Sequence, residues 1–208
     1  MSPPLPEGKF GAILADPPWN FETYSGPAIP SRAAVAPYEG QEIEYIASLP
    51  VGDLAADDCV LFMWVTWPLL FECKPVLDAW GFKYSTCAFV WVKTQKECPR
   101  KPRMGQGYWT RANTEPCLLA TRGEPQRLYK GVRQVIVTQD EWANLEPGTI
   151  AAPIREHSRK PDETHERIER LVAGKYLELF ARKARPGWTT WGNETGKFDE
   201  LTLPLEVA

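Results

Sequence analysis

The sequence is poor in the residues that build metal centres and disulfide frameworks. It has five cysteines among 208 residues and only two histidines, His157 and His165. The cysteines are widely spaced, no two form a Cys-x-x-Cys pair, and their number is odd. Zinc sites and disulfide scaffolds normally show paired, closely spaced ligands. We therefore expect reduced and mostly buried thiols, no metal site, and a cytoplasmic protein.

Long apolar runs are also absent. No segment reaches the ~18 consecutive apolar residues of a membrane-spanning helix, and no basic start precedes an apolar stretch. This predicts neither a signal peptide nor a membrane span. The hydrophobic fraction of 43% and the charged fraction of 25% are ordinary for a globular protein, and residues 1–208 fit one domain.

Charge is distributed unevenly along the chain. Residues 1–92 carry a net charge of −7, residues 93–133 a net +7, and residues 134–208 a net −3. A basic segment on an acidic body is typical of a surface that contacts phosphates, although a solvated loop would have the same composition. Basic and aromatic side chains alternate in this stretch, which favours backbone tracking with base stacking. We interpret residues 94–133 as a basic, substrate-binding insertion.

One short stretch combines a strand with an unusual end. Phe10–Ala15 is an apolar run typical of a buried strand, and Asp16-Pro17-Pro18-Trp19 follows it directly. Two prolines stop the strand, so the carboxylate and the indole should lie at the ligand-binding edge of an α/β sheet. The Asp16 side chain and the Pro17 carbonyl could accept both hydrogens of an exocyclic amine, and Trp19 could stack on a base. The alternative is a proline-rich turn with Trp19 in the core.

Strand and helix patterns alternate along the rest of the chain. Seven strands are predicted near residues 10, 59, 83, 116, 134, 176 and 188. Helices are predicted at Gln41–Leu49, at Leu69–Trp80 with a bend at Pro75, and from Pro161 to about Ala173. This order indicates an α/β domain with a mostly parallel seven-stranded sheet and helices on both faces.

Seven motifs in order resemble the MT-A70-like adenine N6-methyltransferases, which share the DPPW signature. The similarity runs from Gly8 to Glu194, so residues 8–194 form the family-like core. Its motifs are ADPPW, LFMWVT (Leu61–Thr66), FVWVKT (Phe89–Thr94), EPCLLATRG (Glu115–Gly123), SRKPDETHERIERL (Ser158–Leu171), LELFAR (Leu177–Arg182) and GWTTWGNE (Gly187–Glu194).

The resemblance implies a Rossmann-like class I methyltransferase fold with permuted motifs, which explains why the sequence has no Gly-x-Gly-x-x-Gly. It also implies S-adenosylmethionine as cofactor and S-adenosylhomocysteine as product. Lys160 matches the lysine that binds the methionine carboxylate, while Phe180 and Arg182 match residues beside the ribose. The implied cofactor set is Asp16, Pro17, Lys160, Phe180, Arg182, Asn193 and Glu194. Ala181 departs from the family, because a glycine is usual there.

The implied catalytic and substrate-binding residues surround the DPPW strand end. Asp16, Pro17, Pro18 and Trp19 form the catalytic set. The predicted substrate set is Trp19, Asn20, Tyr38, Lys93, Arg100, Lys101, Arg103, Trp109, Glu115, His157 and Ser158. Of these, Arg100, Lys101, Arg103 and Trp109 come from the basic and aromatic composition of residues 94–114 and not from the resemblance. A packing role for Tyr38 stays open. His157 could be a general base, but we interpret it as part of a substrate loop, because the amine needs no deprotonation before attack.

The short chain resembles family members that modify DNA. We therefore expect methyl transfer from S-adenosylmethionine to the N6 amine of adenine in DNA. Two alternatives remain: the same chemistry on RNA, or a non-catalytic nucleic-acid-binding subunit of a methylase complex. A homodimer and a complex with a partner subunit are both compatible with the sequence.

Overall fold

The computed structural model describes residues 3–20, 41–95, 102, 109–137 and 160–196. Its strands are β1 (Phe10–Ala15), β2 (Ala55–Trp64), β3 (Lys83–Val92), β4 (Thr114–Arg122), β5 (Val135–Val137), β6 (Tyr176–Leu179) and β7 (Trp188–Trp191). Its α-helices are α1 (Ile43–Ser48), α2 (Lys74–Ala79) and α3 (Glu163–Leu171). None of the helices in these ranges is long and apolar enough to span a membrane.

The seven strands form one sheet in the order β5-β3-β4-β2-β1-β6-β7. Within these described strands, β4 alone runs against the others, since it pairs antiparallel with both β2 and β3. The pairs β1–β2, β1–β6, β3–β5 and β6–β7 are parallel. The predicted α/β fold with a mostly parallel seven-stranded sheet is confirmed.

Helices cover both faces of the sheet because its central strands are apolar on both sides. In β1, Ile13 and Ala15 pack with Ile46 of α1 and Val76 and Leu77 of α2. The intervening residues Ala12 and Leu14 pack on the other face, with Ile168 of α3. Successive side chains of a strand point to opposite faces, so each strand supplies two cores.

The predicted helix Leu69–Trp80 is wrong in its first half. A 3-10 turn spans Trp67–Leu69, and α2 begins only at Lys74. Pro75 does not bend this helix, because it occupies the first turn, where its missing N–H leaves no hydrogen bond unmade. The helix ends as predicted before Gly81, whose φ of +77° suits a left-handed cap.

The basic stretch 93–133 does not form one continuous surface. Within it, β4 crosses the sheet, and the antiparallel register places Arg122 opposite Cys59 at the amino end of β2. The Arg122 guanidinium donates to the Gly52 carbonyl there, 2.7 Å away. The segment from Arg122 to Arg133 therefore starts at the edge opposite the carboxyl end of β1, whereas Lys93 and Thr114 lie at the carboxyl edge.

Candidate active site

The carboxyl end of β1 lies where the strand order reverses. The chain leaves β1 to build β2 on one side, and it later returns to place β6 on the other side. Ala15 is level with Met63 of β2 and with Leu179 of β6. Crevices at such switch points bind ligands in open α/β sheets. Asp16 opens directly into this crevice.

Backbone hydrogen bonds fix the Asp16-Pro17-Pro18-Trp19 turn. The Trp19 N–H donates to the Pro17 carbonyl at 2.8 Å, and the Gln41 N–H donates to the Pro18 carbonyl at 2.7 Å. The Asn20 N–H donates in turn to the Gln41 carbonyl at 3.2 Å. A carbonyl oxygen has two lone pairs, so the Pro17 oxygen can accept a second hydrogen.

A chain of four charged side chains starts at Asp16. The Lys160 ammonium lies 2.7 and 2.9 Å from the two Asp16 carboxylate oxygens and 2.9 Å from Glu115 Oε1. The Lys93 ammonium lies 2.7 Å from the other Glu115 oxygen. Two carboxylates and two ammoniums therefore alternate at the edge of the sheet formed by the carboxyl ends of β1 and β3 and the amino end of β4.

The protonation states within this network follow from burial and charge. Burial raises the pKa of Asp16, and the neighbouring Glu115 raises it further against the opposing effect of Lys160. Burial also opposes ionisation of Glu115, but Lys160 and Lys93 outweigh it and lower the pKa of Glu115. Burial would lower the pKa of Lys160, yet its two carboxylates raise that pKa well above the ordinary value. Asp16 is therefore the member of the network that protonates first as pH falls.

The end of β6 makes an unusual turn beside Asp16. Phe180 directly follows β6 and has a φ of 61°, a left-handed conformation that non-glycine residues rarely adopt. Its ring packs edge-on against Trp191 of β7, with ring centroids 5.5 Å apart. The Ala181 N–H donates to the Trp191 carbonyl at 2.9 Å. Backbone strain of this kind is often found at ligand sites.

Two adjoining clefts open at this turn. The first, of about 540 Å³ and open to solvent, lies between the start of α3 and the end of β6; Lys160, His165, Glu178 and Arg185 line it. The second, of about 940 Å³ and also open, is lined by Gln41, Trp191, Asn193 and Glu194. Asp16, Phe180 and Arg182 line both clefts. One elongated ligand could thus extend through both and pass Asp16.

Trp19 is the clearest correction to the sequence interpretation. Its side chain is only 6% exposed and belongs to the core cluster that contains Ile13 and Met63. Its indole N–H donates to the Trp64 carbonyl at 2.9 Å. The structure therefore supports the alternative, a core tryptophan that fixes the turn, and presents no Trp19 surface for base stacking.

The other predicted residues fall into three groups. The structure brings together Asp16, Pro17, Pro18, Lys93, Glu115, Lys160, Phe180, Arg182, Asn193 and Glu194 around the two clefts and the ion network. Asn20 is exposed and donates to Glu42 at 2.6 Å, while Trp109 is 91% exposed. Tyr38, Arg100, Lys101, Arg103, His157 and Ser158 lie outside the described residues.

Sequence reasoning missed several residues that line the site. Gln41 and Glu178 line the clefts, and Trp67 is an exposed indole beyond the end of β2. His165 reaches Glu178 Oε2 through its Nε2 at 2.8 Å. Glu178 lay inside the LELFAR motif and could have been found as the only charged residue in an otherwise apolar strand.

Gly192 is also part of the site, because it allows β7 to approach the Phe180 turn. A Cβ at this position would lie 2.6 Å from the Ala181 carbonyl oxygen and 2.8 Å from the Ala181 backbone nitrogen. We expect Gly192→Ala to lower stability by ~1–3 kcal/mol through overpacking. Thermal unfolding measures this. Gly11→Ala is the matched control with a smaller expected loss, since its Cβ would come no closer than 3.1 Å to backbone; equal losses would contradict the prediction.

Comparisons with known proteins agree with this geometry. The MT-A70 family model matches residues 10–194. The type II methyltransferase M.MunI from Mycoplasma sp is 31% identical, over 92% of this chain and 80% of that protein. The N(6)-adenosine-methyltransferase MT-A70-like protein of Arabidopsis thaliana is 32% identical over 90% of this chain. The N(6)-adenosine-methyltransferase catalytic subunit METTL3 of Homo sapiens is also 32% identical over 90% of this chain.

The length of these relatives differs greatly. The chain spans only 24% of the Arabidopsis protein and 28% of the human one. The matched region nevertheless contains every strand of the sheet, the Asp16 turn, the ion network and both clefts. A family match over nearly the whole chain, with 31% identity along most of a compact relative, shows that the protein belongs to the MT-A70 family.

Proposed function

We propose that the protein transfers a methyl group from S-adenosylmethionine to the N6 amine of adenine in DNA. The observation that carries this proposal is the position of Asp16, a carboxylate shared by two adjoining clefts and followed by a rigid carbonyl-rich turn. One cleft system can hold the cofactor, while the turn offers acceptors to the target amine.

The residues around the clefts fit S-adenosylmethionine. This cofactor combines a charged methionine end with a ribose and an adenine, and when bound it supplies an activated methyl group. Lys160 and the start of α3 would hold the methionine end, and Arg182, Asn193 and Glu194 would hold the nucleoside. Arg182 Nε lies 3.5 Å from Glu194 Oε2, so the two could share the ribose hydroxyls. Glu194 only accepts hydrogen bonds when ionised.

Asp16 and Pro17 would position the target amine. Both Asp16 oxygens contact Lys160, but an ionised carboxylate has about four acceptor sites. The Asp16 side chain remains 25% exposed, which leaves acceptor capacity toward the crevice. Together with the Pro17 oxygen it can bind both amino hydrogens and favour the positive charge that develops on nitrogen.

The choice of DNA rests on how the chain aligns with its relatives. It covers 80% of a type II methyltransferase but only about a quarter of the adenosine methyltransferases. Long chains that act on adenosine carry additional sequence beyond the region matched here.

A methylation assay with matched nucleic acids tests the proposal. DNA and RNA oligonucleotides of the same adenine-containing sequences are incubated with radiolabelled S-adenosylmethionine, and the nucleosides are identified by mass spectrometry. We expect N6-methyladenine in DNA well above that in RNA. Preferential methylation of RNA would show that the substrate is RNA and not DNA. Calorimetry that detects DNA binding without cofactor binding would instead indicate a non-catalytic subunit.

The pH dependence of activity should report on Asp16. Burial raises the pKa of Asp16, and the carboxylate form is the one that accepts the amine hydrogens. Activity should therefore fall, as pH decreases, at a pH above the ~4 of an ordinary aspartate. Glu115→Gln removes a negative charge that raises the pKa of Asp16, so the acid limb should move to lower pH. If the acid limb of the pH–rate profile of kcat/KM is the same in Glu115→Gln and in the wild type, the limb reports a group other than Asp16.

The basic segment before β4 should dominate the salt dependence of DNA binding. If Arg100, Lys101 and Arg103 contact phosphates, each neutralised phosphate contributes about −0.9 to the log–log slope. Replacing all three by Ala should flatten the slope and weaken binding, while cofactor affinity stays constant. Arg127→Ala combined with Lys130→Ala is the matched control, because that segment starts at the opposite edge of the sheet. Equal slopes for the wild type and the triple variant would contradict the proposal.

A further inference from the structure

Trp67 is unusual among the tryptophans of this chain. Eight of the nine tryptophans lie in the described residues, and six of those are at most 7% exposed. Trp67 is 44% exposed and does not belong to either core cluster. An indole left in solvent contributes little to folding through burial, which makes a role in ligand contact worth testing.

The exposed ring is nevertheless held in place. Its Nε1–H donates to the Thr114 hydroxyl at 2.9 Å, which joins the segment after β2 to the first residue of β4. The backbone is fixed as well, since Trp67 begins a 3-10 turn that contains Pro68 and ends at the buried Leu69. A stacking platform needs this combination, because a preorganised ring loses little conformational freedom when a ligand binds.

Trp67 lies at the carboxyl edge of the sheet, at the end where the ion network also lies. Thr114, its hydrogen-bond partner, directly precedes Glu115, whose carboxylate contacts Lys160, which contacts Asp16. Lys93 contacts the same glutamate, and the Lys93 N–H donates to the Asn113 carbonyl at 2.7 Å. Because successive side chains of a strand point to opposite faces, Trp67 with the Thr114 hydroxyl and Lys93 with the Glu115 carboxylate stand at the same edge of the sheet but on opposite faces of β4.

We propose that Trp67 stacks on a nucleobase adjacent to the target adenine in the acceptor strand. The proposal rests on the proposed function, and it assigns the stacking role to a residue other than the buried Trp19. Asp16 and Pro17 serve the target amine, so a ring placed outside the crevice faces the neighbouring nucleotide. Exposed aromatic side chains stack on the bases of single-stranded nucleic acid in this way.

The test is a binding cycle between protein and oligonucleotide. The probe is a fluorescein-labelled single-stranded DNA with one adenine, together with two versions that carry an abasic site directly 5′ or 3′ of it. Affinities are measured by fluorescence anisotropy for the wild type, Trp67→Ala and Trp67→Phe. Loss of one base–aromatic stack typically weakens binding by roughly 5- to 150-fold on alanine substitution. We expect Trp67→Ala to fall in that range and Trp67→Phe to retain most of the affinity.

The abasic probes distinguish stacking from a general effect. One of them should bind the wild type more weakly than the intact probe but bind Trp67→Ala no more weakly. Phe71→Ala is the matched control, since Phe71 is 89% exposed but lines a separate groove with Leu70 and Tyr84; it should bind like the wild type. Unchanged affinity of Trp67→Ala, or equal abasic penalties with and without Trp67, would overturn the proposal.

A failure of the proposed function would be recognised separately. If the proposed function is wrong, the wild-type protein will produce no methylated adenine. The anisotropy measurements are independent of this result, because they require binding but no turnover. Cofactor affinity and thermal unfolding of Trp67→Ala check that the variant is folded. If both match the wild type, a change in oligonucleotide affinity reports on the indole itself.

Discussion

Asp16→Asn is expected to reduce methyl transfer by ~10²–10³-fold, the usual cost of losing one positioned contact to the developing charge. The substitution keeps the shape of the side chain but replaces a carboxylate oxygen by an amide N–H₂, which repels an amine hydrogen. It also removes the negative charge that favours positive charge on the target nitrogen. The rate constant at saturating cofactor and DNA measures the effect.

The network allows this variant to remain folded. Lys160 keeps Glu115 as a counter-ion at 2.9 Å, so its ammonium is not left without a carboxylate. Asp78→Asn is the matched control, because Asp78 forms an exposed i,i+4 ion pair with Lys74 on α2, away from the clefts. Turnover of folded Asp16→Asn close to that of Asp78→Asn would remove Asp16 from the mechanism.

Local patterns in the sequence predicted the strands better than they predicted what surrounds the site. The bounds of β1 match the prediction, because an apolar run that two prolines stop has few alternatives. The start of α2 was missed, since Leu69, Leu70 and Cys73 have helical spacing but fold as a 3-10 helix and a hydrogen-bonded turn that follows it. Whether such a segment forms an α-helix or a 3-10 turn depends on its packing against the sheet and not on the spacing of its apolar residues.

The error at Trp19 has a similar cause. An aromatic residue after a strand can stack on a ligand or complete the core, and the two have the same local sequence. The deciding contact is the Trp64 carbonyl, 45 residues further along the chain. Trp67 was overlooked for a related reason, because the contact that holds its ring is with Thr114, 47 residues away.

The net charge of a sequence segment does not show at which edge of the sheet its charged residues lie, as the basic stretch illustrates. Residues 93–133 have a net charge of +7, but β4 carries the chain across the sheet within that stretch. Lys93 therefore stands at the carboxyl edge and Arg122 at the opposite edge. The contact between Lys160 and Asp16, residues 144 positions apart, was not predicted, since the resemblance only placed both residues in the cofactor set.

Replacing Lys160 should have the largest effect on stability. Lys160→Met removes the ammonium that separates the carboxylates of Asp16 and Glu115, both of which contact it within 3 Å. Breaking a buried ion pair on one side typically costs about 3–5 kcal/mol. We expect about 3 kcal/mol at neutral pH, at the low end of this range, because Glu115 retains Lys93 and Asp16 is a quarter exposed. Denaturant unfolding measures the difference.

A double variant separates charge burial from packing. In Lys160→Met with Asp16→Asn, the carboxylate that lost its counter-ion is gone, so part of the lost stability should return. If the double variant is no more stable than Lys160→Met alone, the loss comes from packing against Trp64, whose ring centroid lies 5.7 Å from the ammonium.

The same variant tests the cofactor assignment. Lys160→Met should weaken S-adenosylmethionine binding far more than DNA binding, because the start of α3 is then left without its cation beside the methionine carboxylate. Calorimetry and anisotropy give the two affinities, measured where the variant is folded. Lys160→Arg keeps the charge but replaces a compact ammonium by a planar fork, so it should restore stability more fully than cofactor affinity. Undiminished cofactor affinity in Lys160→Met would confine Lys160 to the role of counter-ion between Asp16 and Glu115, and the methionine carboxylate would then have to be bound by Arg182 or Arg185 in the same cleft.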